Sequence, residues 1–204
     1  EGFAENECRD TGRFLDEVQR LGVNYIDLYT PNPQVRASVG EALKGRREKF
    51  ILQSHLCSVW KDGQYKRSRK IEEVKEGMRQ MLSLLQTDYI DVGMIHYVDS
   101  IKDWEEIVQG PVLAYARELK EKGIIRHIGL SSHNPQVALE AVKSGDIEVL
   151  MFSVNPCYDL QPASEDVEEL WAEKNYQGHL VNMDPQRQEL YEVCQRLGVG
   201  VTVM

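Results

Sequence analysis

The 204-residue chain has no two cysteines close enough in sequence to share a metal. Cys8, Cys57, Cys157 and Cys194 stand far apart, without a CxxC pair. That spacing excludes a zinc knuckle, a ferredoxin-type cluster or a disulfide scaffold within this span, and predicts free thiols in a reducing cytoplasm. No apolar run approaches the roughly 20 residues that cross a bilayer, so no membrane partner is expected. No secretory leader opens the chain, although a chain starting at Glu1 could have lost one. Basic charge is scarce: 24 Lys and Arg against 33 Asp and Glu leave a net charge of −9. Polyphosphate binders need clustered cations, so nucleic acid is excluded as a partner class. The one basic run, "KDGQYKRSRK" at 61–70, reads as a solvated loop. No G-x-G-x-x-G follows a strand-like segment, which weakens an open dinucleotide-binding sheet.

What is present is an ordinary core-forming composition, 42% hydrophobic and 28% charged, enough for one large domain or two small ones. Strand and helix patterns alternate from end to end. Strands are expected at 23–30, 49–55, 88–97, 125–133, 147–155 and 199–204. Helices are expected at 8–21, 33–45, 70–86, 103–122, from 135 to Gly145, and from 185 on. Three Asn/Asp-Pro-Gln turns, at Asn32, Asn134 and Asp184, predict helix starts, with the side chain capping and proline pre-setting the first turn. Apolar strands separated by helices indicate parallel pairing through right-handed crossovers.

The choice is then an open doubly wound sheet or a closed (β/α)8 barrel. Polar residues at the C-terminal ends of nearly every strand favour the barrel, whose active sites are built there. Those ends carry Asp27, His55, His96, then Ser131, Ser132 and His133, then Asn155 with Tyr158. Alternation along a strand puts Tyr25 and Tyr29 on the face of Asp27, and Met94 on that of His96. Six strands are visible where eight are required. Residues 1–204 therefore read as one α/β domain, a TIM-barrel fragment with about six of its eight strands, incomplete at both ends. An acidic insertion at about 160–184 interrupts the rhythm. Its length suggests a lid or docking face, with Trp171 and Tyr176 as apolar contacts.

Five ordered blocks, "GVNYIDLYT", "ALKGRREKFILQSH", "LQTDYIDVGMIHYVD", "GIIRHIGLSSHNP" and "ELYEVCQRLGVGVTVM", resemble the aldo/keto reductase superfamily in order and spacing. They are most similar to its bacterial and archaeal branch, whose members often carry a C-terminal iron–sulfur segment. The resemblance implies a (β/α)8 barrel that binds NADP or NAD without a Rossmann fold and reduces a small-molecule carbonyl substrate by hydride transfer. Of the family's catalytic Asp, Tyr, Lys and His, the Asp matches Asp27 and the His matches His96. The Lys position is His55 and the Tyr position is Asn32, so half of the tetrad is replaced. His55 held by Asp27, His96, or the phenol of Tyr29 is then the proton donor. The cofactor segment maps onto Ser131 and Ser132 for the nicotinamide amide, Asn155 beside it, and Tyr158 for ring stacking. An iron–sulfur cluster would lie beyond Met204. Two other readings stay open: a metal-dependent hydrolase or isomerase using Asp27, His55, His96 and His133, and a non-catalytic barrel that binds a nucleotide.

Overall fold

The structure is a computed structural model that describes residues 10–161, 163–170, 172–173 and 183–204. The chain forms two compact units, residues 1–94 with 115–126, and residues 95–114 with 127–204.

In the first unit, the strands β1 (Tyr25–Leu28), β2 (Ile51–His55) and β5 (Ile90–Ile95) lie side by side and parallel. Ile26 and Leu28 are buried while Tyr25 and Asp27 are half-buried, as a period of two requires. Helix α1 (Thr11–Arg20) is capped by Asp10, and α2 (Pro33–Ala42) by Asn32, whose oxygen accepts from Gln34 and Val35. Helix α3 (Ile71–Leu85) packs on α2. Gly40 makes this approach possible, since a Cβ there would sit 2.8 Å from the backbone of Leu85. Val35, Val39, Val74, Met78 and Met81 are among the buried apolar residues of the two helices, each worth about 1.5–3 kcal/mol of transfer free energy.

The basic run is not a loop. Ser58–Lys61 (β3) and Gln64–Arg67 (β4) pair as an antiparallel hairpin. Its turn is Asp62-Gly63, both with positive φ, 54° and 76°, the two-residue turn whose twist suits a hairpin. Glu73 ties the hairpin to α3, accepting from Lys61 Nζ at 2.8 Å and Ser68 Oγ at 2.6 Å.

The single helix expected at 103–122 is also corrected. It is two helices, α4 (Ile101–Gln109) and α5 (Pro111–Glu121). Proline has no N–H for the i−4 carbonyl and disfavours helical backbone in the residue before it, so Pro111 ends one helix and begins the next.

In the second unit, β6 (Ile125–Ser132, which enters this unit at His127), β7 (Val149–Phe152) and β8 (Gly200–Val203) are parallel neighbours in that order. Helix α6 (Pro135–Lys143) is capped by Asn134 and α9 (Pro185–Leu197) by Asp184. They pack on each other, burying Val137, Ala141, Leu190 and Val193. Two short helices follow β7, α7 (Pro156–Asp159) and α8 (Val167–Leu170). Trp171 and Tyr176 lie outside the described residues.

Candidate active site

The C-terminal ends of β1 and β2 build one polar chain in the first unit. Asp27 is the register partner of Gln53, and His55 lies two residues further along β2 on the same face. Oδ1 of Asp27 accepts from Gln53 Nε2 at 2.8 Å and lies 3.0 Å from His55 Nε2. A carboxylate only accepts, so Nε2 of His55 carries the proton between them. Gln53 in turn accepts from the Tyr25 hydroxyl at 2.8 Å. Burial, aided by the charges of Asp27 and Asp91, pushes the Tyr25 phenol up to about 12, which keeps it a donor to Gln53. The more accessible member of the pair is the acid: the Asp27 side chain is 26% accessible and that of His55 1%. Tyr29 is exposed, and its carbonyl accepts from Ser58 Oγ at 2.7 Å.

A second cluster lies in the second unit, where the segment after β5 meets the end of β6. His96 is half-buried. Tyr97 follows it with φ +55°, a left-handed backbone uncommon for a bulky residue. That turn lets the Tyr97 N–H donate to Ser131 Oγ at 2.8 Å, while the Val98 N–H donates to the Ser131 carbonyl at 2.9 Å. The Tyr97 ring lies 6.1 Å from the His96 ring and 5.2 Å from that of His133. Asp99 is a buried carboxylate that accepts from Ser132 Oγ at 3.1 Å, from the His133 N–H at 2.7 Å and from His133 Nδ1 at 2.9 Å.

The two serines differ in what they have left to offer. Ser132 is fully buried, donates to Asp99 and accepts from the Asn134 N–H at 3.1 Å. Ser131 only accepts, and its own hydroxyl proton has no acceptor among the described residues. Asn155 stands at the start of α7, its Oδ1 accepting from the Tyr158 N–H at 3.2 Å. This is a fourth Asn/Asp-Pro helix start. Tyr158 is half-buried, 5.8 Å from the Arg187 guanidinium. Ser131 thus has a donor to spare and Tyr158 an aromatic ring that is half-buried. Ser132 and Asn155 spend polar atoms on the fold.

Among the described residues, no group of three or more His, Cys, Asp or Glu side chains converges as a metal site. Of the four residues in the metal reading, Asp27 and His55 lie in the first unit and His96 and His133 in the second. Three residues of these networks are not among the candidates that the sequence singles out: Gln53, Asp99 and Arg187. For Gln53 the signal was available in its period-two spacing from His55. Arg187 sits within a helix that reads only as a crossover.

A family model described as the aldo/keto reductase family matches residues 4–204. An uncharacterized oxidoreductase of Bacillus subtilis (strain 168), YqkF, is 33% identical over 153 residues, 72% of this chain and 48% of its own length. The chain therefore spans about half the length of the curated relatives it matches. An aldo-keto reductase from Bacillus halodurans in its holo form is similar with a TM-score of 0.69 and 28% identity, over 94% of this chain and 55% of that one. An aldo-keto reductase from Klebsiella pneumoniae in complex with NADPH shares the fold with a TM-score of 0.61 at 16% identity, over 96% of this chain and 57% of its own. The fold class is accordingly α/β, part of a (β/α)8 barrel, as expected from the strand and helix pattern.

Proposed function

The chain belongs to the aldo/keto reductase family, and on that premise we propose that it serves an NAD(P)-dependent oxidoreductase that reduces an aldehyde or ketone. The observation that carries the reading is the pairing of Asp27, at the family's acid position, with His55 at 3.0 Å. His96 stands at the family's histidine position. When bound, the reduced nicotinamide supplies the hydride. NADP is the form to test first, since the Klebsiella structure of this fold holds NADPH.

Each residue then has a role. Ser131 donates its free hydroxyl proton to the nicotinamide amide, and Tyr158 offers its ring for stacking. Ser132 and Asn155 act behind them, the first fixing the end of β6 through Asp99 and the second fixing the turn that carries Tyr158. His96 hydrogen-bonds the carbonyl oxygen. The proton that neutralises that oxygen comes from His55 in its imidazolium form: Nε2 passes it to Asp27, the more accessible member of the pair, which hands it on and ends as carboxylate beside a neutral imidazole. This arrangement stands in for the family's phenol and lysine, because Asn32 is committed to capping α2. Tyr29, exposed on the face of Asp27, is the remaining phenol in reach of that role.

The full-length protein titrated with NADPH and then NADH should show saturable quenching of tryptophan fluorescence. Binding of neither nucleotide sinks the reading. In a carbonyl-substrate screen, His55→Ala and His96→Ala should each lower kcat/KM by about 10²-fold or more, as loss of a positioned acid does. A barrel that binds nucleotide without turnover is the second reading, favoured by the capping role of Asn32. Turnover by wild type that these two substitutions abolish excludes it.

A further inference from the structure

We infer that Arg187 is a positioning residue for the cofactor, acting through the ends of β6 and β7, and this rests on the nucleotide-binding reading above. Arg187 projects from α9, and its side chain is completely buried. A guanidinium removed from water is expensive unless its donors are used. Here both terminal nitrogens are spent on main-chain carbonyls at two neighbouring strand ends, while Nε has no hydrogen-bond partner among the described residues. Nη1 donates to the carbonyl of Ser153 at 3.1 Å, just past β7, and Nη2 donates to that of His133 at 3.4 Å, just past β6. The planar fork suits this geometry because it reaches two fixed acceptors at once, which a lysine ammonium cannot do in the same way.

The same group meets the candidate ring-stacking side chain. The guanidinium carbon lies 4.8 Å from the centre of the Phe152 ring and 5.8 Å from that of Tyr158. Its counter-charge, Asp159, is 3.7 Å from Nη1 and lies next to Tyr158 on α7. Asp159 is itself fixed, because its Oδ1 accepts from the Tyr191 hydroxyl at 2.6 Å. Burial and that hydrogen bond to a carboxylate both raise the Tyr191 phenol above its usual range, so the donor is retained.

Arg187 thus sets the spacing between the strand end that carries Ser131 and the turn that carries Tyr158. Those are the two side chains assigned to the nicotinamide amide and ring. A purely architectural arginine would serve stability and leave the affinity of the folded molecules for nucleotide unchanged. A positioning arginine makes cofactor affinity depend on the fork itself.

The experiment compares wild type, Arg187→Lys, Arg187→Ala and Asp159→Asn in the full-length protein. It reads the dissociation constant for NADPH by fluorescence titration, the thermal midpoint, and KM for cofactor against kcat. Arg187→Lys should weaken NADPH binding about tenfold or more, the scale of one charge-assisted hydrogen bond. The loss should fall on KM for cofactor ahead of kcat, and Arg187→Ala should regain affinity on addition of guanidinium ion at millimolar concentration. Asp159→Asn keeps the fork but removes the charge that orients it, so its affinity should shift in the same direction by a smaller factor. It decides the matter if the lysine variant does not fold. Folded variants that bind NADPH as tightly as wild type overturn the inference while leaving the nucleotide-binding reading intact. Failure of wild type to bind overturns both.

Discussion

Identical local sequence can serve opposite ends of a strand. The tripeptide Tyr-Ile-Asp occurs at 25–27 and again at 89–91. Asp91 lies near the start of β5, where it accepts from the Leu52 N–H and from Arg47 and Arg126 at 2.8 and 2.7 Å. The two guanidiniums each lie 4.2 Å from the Tyr89 ring centre. Every lone pair that matters is used, and the group is a fastening. Asp27 lies near the end of β1, and its Oδ1 alone gathers Gln53 and His55. Position along the strand separates the two, and it is position at a strand end that singles out Asp27, His55 and His96 in the sequence. It could not reach Asp99 or Arg187, whose partners are far along the chain and bonded partly through main-chain atoms. The adjacent serines give a test at this scale. Ser131→Ala should weaken nucleotide binding by about tenfold through loss of one ligand hydrogen bond, with a nearly unchanged thermal midpoint. Ser132→Ala should do the reverse, lowering the midpoint because Asp99 and the Asn134 N–H each lose a buried partner. Titration and melting curves on the same two variants separate these outcomes.

Caps and breakers were the elements most plainly written in the chain. Asn32, Asn134 and Asp184 each precede proline, and each accepts from the N–H groups two and three residues on. The hairpin of β3 and β4 is hidden in the sequence because each strand is only four residues long, too short for an apolar alternation to read. Only Asp62-Gly63 announced it. The break between α4 and α5 was missed because the apolar period runs through Pro111, and the proline signal should have outweighed the period. The hairpin also carries a pH prediction. Hydrogen bonds from Lys61 and then Ser68 hold the Glu73 carboxyl down at about 2, from an ordinary 4.5. A depressed carboxyl contributes its full share above its unfolded value and loses it as pH falls through the folded one. The tie between hairpin and α3 should therefore loosen between pH 4.5 and about 2. Trp60 fluorescence should report this as an acid step in that window, reduced by high salt because the pair is exposed. Glu73→Gln should lack the step, and an unchanged step in that variant rejects the assignment.

At the scale of the molecule, composition and rhythm were enough for the fold class. Alternating strands and helices, with polar strand ends and no glycine fingerprint, point to a (β/α)8 barrel. The division into two compact units, 1–94 with 115–126 and 95–114 with 127–204, was not legible, since it cuts across the order of the chain. Each unit sets one strand between two parallel partners, β2 between β1 and β5, and β7 between β6 and β8. Time, measured as amide exchange with deuterated solvent, should expose that arrangement. A central strand can release its amides only when its whole unit opens, whereas a flanking strand is freed by local fraying. Leu52 and Leu150 are both fully buried on central strands and should mark the slowest classes. Val203, 62% accessible on β8, should exchange in the fastest class of the strands. If Leu52 and Leu150 share one slow rate, the units open as a single cooperative body. Two distinct slow rates give each unit a lifetime of its own.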